Sequence, residues 1–162
     1  LHLLSRRQRQ MCIRDRGNGW SYKYARRQWN LVDNKDLCYH YLGDFDREML
    51  SVIKSVRNFQ RTNVQEIWHN DGDQILAYMR GDLVFVFNFS PSRSYSDYGF
   101  LVPEGAYEVM LNTDSKLYGG NGLADDTITH FTNSDKLYAK DHKGWLMLYI
   151  PARSAVVLRR KE

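Results

Sequence analysis

A chain of 162 residues, 43% hydrophobic and 14% aromatic, carries enough apolar surface for one packed domain and a helical addition, which excludes a disordered tail. No apolar run is long enough to cross a bilayer, the longest being short stretches such as Leu83 to Phe87 and Trp145 to Ile150, and no secretory h-region opens the chain, so a soluble, cytoplasmic protein with no membrane partner is expected. The formal net charge of +4 arises in the first sixteen residues: without Arg6, Arg7, Arg9, Arg14, Arg16 and Asp15, Lys+Arg falls from 23 to 18 and Asp+Glu from 19 to 18, leaving no basic excess for a nucleic-acid partner.

Residues 1–16 are Arg/Gln-rich, lack a starting Met and show no apolar period. Gln10 to Arg16 resembles translated sequencing-adapter sequence, so the segment is expected to be non-native; the alternative is a basic arm. The chain has two cysteines, Cys12 and Cys38, and no CxxC, HExxH or Cys/His cluster. Neither a metal site nor any cofactor is therefore expected, and Cys38 reads as a buried structural thiol.

Gly17 to Phe59 reads as helical with loops. Tyr22, Ala25, Trp29 and Val32 fall at helical spacing behind a capping Ser21. A second short helix, around Lys35 to Leu42, is expected to stop at Gly43, and Asp44 to cap a third. In that third helix Phe45, Met49, Val52, Ile53 and Val56 form an apolar face opposite Arg47, Glu48 and Lys54. The chain offers this face few partners, so it is expected to be a domain contact left exposed.

From Gln65 the period becomes that of strands. Gln74 to Met79 and Leu83 to Phe89 flank Arg80-Gly81-Asp82 as a β-hairpin, whose Gly and Asp a turn explains without any adhesion role. Leu83, Phe85, Phe87 and Phe89 alternate with Val84 and Val86, so this strand is expected to be central, covered on both sides, with the phenylalanines in a core face. Tyr98 to Val102, Ala106 to Asn112, Trp145 to Ile150 and Ser154 to Arg160 complete the strands, with a glycine-rich loop over Asp114 to Thr129. The fold class is mainly β, an antiparallel β-sandwich of about a hundred residues. His69, His130 and His142 lie near Asp71, Asp125, Asp126 and Asp141, but no serine sits in a nucleophile-elbow pattern, so a catalytic triad is not expected.

Five blocks carry a resemblance: Gly17 to Trp29, Tyr41 to Arg47, Val86 to Tyr98, Asp114 with Tyr118-Gly119-Gly120, and Tyr149 to Arg153. In this order they resemble the C-terminal part of glycogen and starch branching enzymes of the alpha-amylase superfamily, most of all the eukaryotic type. Beyond the segment 1–16, expected to be non-native, the resemblance implies the end of a truncated (β/α)8 barrel with its last helices over 17–62 and a C-terminal all-β domain over 63–162. It also implies a parent that cleaves alpha-1,4 glucan and rejoins the released segment through alpha-1,6 bonds, using carboxyl groups on earlier barrel strands. No catalytic residue is expected in this chain, whose partners would be alpha-glucan, through the parent, and the missing barrel. Trp20 and Tyr22, following a barrel strand, are candidates to stack on glucose rings, with Arg26 and Arg27 bonding hydroxyls; the alternative is that all four serve packing and ion pairs. A free-standing carbohydrate-binding sandwich is the competing reading, and it requires an aromatic platform on the sheet surface.

Overall fold

The computed structural model describes residues 30–57, 59–138 and 141–161, which fall in two units divided between His40 and Tyr41. Within the first, α1 (Asn30–Asp33) is followed by a turn in which Asn34 Oδ1 accepts the Asp36 amide at 3.0 Å. Cys38 is exposed rather than buried. Its neighbours Asn34, Lys35 and Asp36 give the segment no apolar period that would draw a thiol inward.

Helix α2 (Tyr39–Ser55) runs unbroken through Gly43 and Asp44, where two separate helices were expected. A glycine costs a helix interior about 1 kcal/mol against alanine. Burial of Val52 and Val56 with Leu83, Leu111 and Val157 outweighs that, and Asp44 pairs instead with Arg47 at 2.7 Å on the solvent side. The apolar face of α2 is therefore not left exposed. It packs on the outer face of a sheet, with Phe45 meeting Tyr118 edge-on at 5.4 Å and Ser55 Oγ accepting a hydrogen bond from Arg159. Arg159 Nε also lies 3.2 Å from Asp82 Oδ2, within ion-pair range but not aligned as a hydrogen bond.

The remaining elements form the expected antiparallel sandwich. β1 (Val64–Asn70), β2 (Ile75–Arg80), β3 (Leu83–Asn88), β9 (Ser154–Arg160), β5 (Ala106–Asn112) and β6 (Thr129–Phe131) make a six-stranded sheet in the order β1-β2-β3-β9-β5-β6. β4 (Tyr95–Pro103), β8 (Lys143–Ile150) and β7 (Asn133–Ser134) make a three-stranded sheet in the order β4-β8-β7. Alternation turns Ile75, Ala77, Val84, Val86, Tyr107, Val156 and Leu158 of the first inward onto Phe100, Val102, Leu146, Leu148 and Ile150 of the second. The β2–β3 hairpin closes with Arg80 paired to Leu83, and Gly81, at φ 65°, takes the first loop position, where left-handed backbone favours glycine. Within the core the Tyr107 hydroxyl donates to the Pro103 carbonyl at 2.8 Å, and burial pushes its pKa up to about 12.

One buried amide joins the layers. Asn88, at the end of β3, shares its Nδ2 protons among the carbonyls of Arg93 (2.8 Å), Pro151 (3.0 Å) and Ile150 (3.3 Å), and its Oδ1 accepts the Ser90 amide at 2.9 Å. Ser154 Oγ donates to the same Pro151 carbonyl at 2.7 Å. The strand of one sheet is thereby tied to the segment entering β4 and to the β8–β9 turn. Asn88→Ala takes a donor from the Arg93, Ile150 and Pro151 carbonyls, leaving Pro151 the Ser154 hydroxyl, and removes the acceptor of the Ser90 amide; we expect a loss of about 3 kcal/mol in urea unfolding, with the denaturant slope unchanged.

Candidate functional site

Trp20, Tyr22, Arg26 and Arg27 lie outside the described residues. The other blocks singled out in the sequence can be placed, and their polar side chains pair with backbone and side chains of the same domain. Tyr98 OH donates to Asp73 Oδ2 at 2.9 Å and accepts Trp68 Nε1 at 3.0 Å, while Tyr95 OH donates to the Asp73 carbonyl at 3.0 Å. Asp73 is itself held by Asn70, so the β1–β2 turn is pinned to β4 of the opposite sheet. Burial, ahead of its hydrogen bonds, raises the Tyr98 pKa and keeps the phenol neutral.

The glycine-rich loop after β5 is organised by Asp114. Its carboxylate accepts the amides of Asn121 (3.1 Å) and Leu123 (2.6 Å), and its carbonyl accepts Gly122 at 2.7 Å. Asn112 accepts the Asp114 amide at 2.9 Å and donates to Asp126 at 2.6 Å. Gly120 must be glycine, because a Cβ there would fall on the Asp114 carbonyl. The loop is thus a polar scaffold with its own buried centre.

That loop roofs a cavity of about 360 Å³ at the open side of the sandwich. Val86, Val109 and Val156 line it from one sheet and Leu148 and Ile150 from the other, with Asn112, Asp125, Asp126 and His130 among its polar groups. Burial lowers the His130 pKa, so the imidazole is neutral near pH 7. Two hydrogen bonds from Thr127 hold Asp125 ionised below the usual carboxylate range. The walls are mainly aliphatic, with Asp125, Asp126 and His130 grouped on the side of the loop and β6.

The second candidate lies on the outer face of the six-stranded sheet, and here the core-face expectation needs correction. Phe85 sits beside α2 and Phe59, but Phe89 is 61% exposed. Phe85, Tyr78, Phe87 and Phe89 form one column, with successive ring centroids at 4.8, 5.8 and 5.7 Å and interplanar angles of 16°, 20° and 4°. Period-two alternation marks this face as apolar but cannot say how far along the strand the cover extends. At the Phe89 end opens a cleft of about 440 Å³ that includes Glu66, His69, Asp71 and Gln74. His69 and Asp71 pair there at 2.9 Å in solvent. The signal that would have exposed the strip was length: α2 covers the Leu83 end of β3 and stops short of Phe89.

Comparison with known proteins adds an independent line. Residues 67–161 match the family model of the alpha amylase C-terminal all-beta domain. The chain is 39% identical over 146 residues to the 1,4-alpha-glucan-branching enzyme of Saccharomyces cerevisiae, covering 90% of this chain and 20% of that protein. It is 36% identical over 156 residues to that of Debaryomyces hansenii, covering 91% and 22%. It is 39% identical over 122 residues to the chloroplastic/amyloplastic 1,4-alpha-glucan-branching enzyme of Oryza sativa subsp. japonica, covering 74% and 15%. The chain spans about a fifth of the length of the yeast relatives.

Two outcomes follow from these side chains. Gly120→Ala forces the Asp114 carbonyl aside and should cost roughly 2 kcal/mol, read as a lowered melting temperature, whereas Gly72→Ala, which meets only the Asn70 side chain at 3.3 Å, should cost clearly less. His130 has a folded pKa below its ordinary 6.5, so the unfolded chain binds the proton first on acidification. Its contribution to stability is complete above pH 6.5 and declines as pH falls through the depressed folded pKa. The melting temperature should therefore fall between pH 7 and 5, and His130→Gln should flatten that part of the profile.

Proposed function

The chain belongs to the family of the alpha amylase C-terminal all-beta domain, and on that premise we propose that it is the C-terminal part of a 1,4-alpha-glucan-branching enzyme. The observation that carries this reading is the extent of the likeness: at 39% identity it spans 90% of the chain, beyond the β-domain alone. The parent cleaves an alpha-1,4 glucan and transfers the released segment to a 6-hydroxyl in glycogen biosynthesis. A retaining transfer needs two carboxyl groups flanking the scissile bond. In this reading they lie in the parent ahead of the present chain, which is inactive alone and supports the catalytic part. Residues 17–62 form the end of the barrel and residues 63–162 the C-terminal domain, while residues 1–16 stand outside the native sequence. Trp20, Tyr22, Arg26 and Arg27 contact alpha-glucan from the loop after the last barrel strand. The parent works in the cytoplasm, without cofactor, nucleic-acid or membrane partner. Among the described residues no helix is long and apolar enough to cross a membrane, which says nothing of a β-barrel.

The Asn88 and Asp114 networks support this reading, because they hold a rigid two-layer body on whose outer face another part can seat. A second reading, a free-standing carbohydrate-binding sandwich, draws on the exposed Phe89 beside its polar cleft. A chimera separates the two. The Saccharomyces cerevisiae enzyme, with its matching region replaced by residues 17–162, should branch amylose, read as loss of iodine absorbance, while the 162-residue chain alone should show none. A folded chimera without activity refutes the proposal.

A further inference from the structure

The cavity beneath the glycine-rich loop joins two chemistries. Val86, Val109 and Val156 of the larger sheet and Leu148 and Ile150 of the smaller one give it branched aliphatic walls. Its volume of about 360 Å³ lies within the range of small-molecule sites. Leu123 and Ile128 of the loop and Tyr149 of β8 belong to the lining and are exposed, so its apolar surface continues out to solvent. Asp125, Asp126 and His130 belong to the same lining. We infer that this cavity is a binding site for a small amphiphilic amine, whose aliphatic body lies between the walls and whose protonated amino group is held by Asp125 and Asp126.

The acceptors select the head group. Thr127 directs both of its hydrogen bonds to Asp125 Oδ1, and Asn112 Nδ2 donates to Asp126 Oδ1 at 2.6 Å. Each carboxylate therefore keeps its Oδ2 without a partner among the described residues, and neither has an ion-pair partner there. The His130 ring makes no hydrogen bond among the described residues, and its neutral form offers one acceptor nitrogen. An alkylammonium carries three N–H donors and one positive charge, which match these three acceptors and the charge around them. A carboxylate or phosphate ligand would meet like charge, with no Lys or Arg among the described lining residues. The walls select the body. A sugar brings hydroxyls that branched aliphatic walls leave unpaired, and Tyr149 is the one aromatic ring in the described lining. An alkyl group leaves no polar atom unpaired and displaces water that Val, Leu and Ile cannot bond. Asp125 is exposed, so the head stays in partial contact with water and the cost of burying its charge is small. The loop that carries both carboxylates is held by Asp114 through the Asn121 and Leu123 amides, which places the acceptors before a ligand arrives.

Methyl NMR of the 162-residue chain, labelled at Val, Leu and Ile, tests the site with hexylammonium as probe and hexanol, hexanoate and maltose as comparisons. We expect hexylammonium to shift the methyls of Val109, Ile128, Leu148 and Val156 with a dissociation constant of about 1 mM or lower. The methyls of Val52 and Leu83, at the α2 contact, should stay in place. The affinity for hexylammonium should exceed that for hexanol about tenfold, as one charge-assisted hydrogen bond provides, with hexanoate weaker than both. Asp125→Asn combined with Asp126→Asn should remove that advantage and leave hexanol binding unchanged, which also shows the variant to be folded. Equal affinity for hexanol and hexylammonium overturns the inference and marks a cavity indifferent to charge. So does an advantage that survives in the double variant. Maltose shifting the same methyls overturns it in favour of a sugar site, and the absence of shifts with every compound overturns it outright.

Discussion

A carboxamide sealed from water has to find partners for two protons and an acceptor oxygen within the protein, and Asn88 finds all of them on the backbone of Ser90, Arg93, Ile150 and Pro151. Its geometry sets more than its own position. β3 belongs to the larger sheet, while Ile150 ends β8 of the smaller one and Pro151 begins the turn into β9. The side chain therefore fixes the offset between the layers at the edge where the chain crosses from one to the other. The apolar core supplies most of the driving force, but Val, Leu and Ile contacts tolerate sliding that a multiply bonded amide does not. Arg153, at φ 55°, shows the same turn held in left-handed backbone that arginine rarely adopts.

Asp73 and Asp114 repeat the device elsewhere. Each is an acidic side chain whose oxygens accept from a turn or loop, and each draws a distant element to itself: Tyr98 of β4 to Asp73, the Asn121–Leu123 amides to Asp114. Both side chains are thus occupied in holding a turn or loop to the rest of the domain. Gly120 joins them for a steric reason, since only hydrogen fits against the Asp114 carbonyl.

Strands whose two faces differ clearly were readable from the sequence. Ala106–Asn112 and Ser154–Arg160 have the bounds that alternation predicts, and the β2–β3 hairpin follows from glycine between two apolar runs. β6 and β7, at three and two residues, are too short to carry a period, and β4 begins earlier than expected because a bulge between Tyr95 and Tyr98 breaks its alternation. Gly43 misled for a different reason. A local stop signal of about 1 kcal/mol is outweighed by the burial of a helix face, and that burial depends on a sheet residues away in sequence. Cys38 failed likewise, because composition alone says a lone thiol is buried and only the surrounding polar turn says otherwise.

The phenylalanines of β3 expose a more general limit of pattern reading. A face buried in a domain's own core and a face that meets another body must both be apolar, so the same alternation writes both. What separates them is whether the elements nearby are long enough to cover the strand. α2 reaches Leu83 and Phe85, whereas the outward column ends in a ring with one side free. Burial of phenylalanine contributes about 2 kcal/mol per side chain, and along this column only Phe89 is exposed, Tyr78 and Phe87 being half-buried. The two sides of the same strand thus differ, with Val84 and Val86 turned inward and Phe87 and Phe89 turned away.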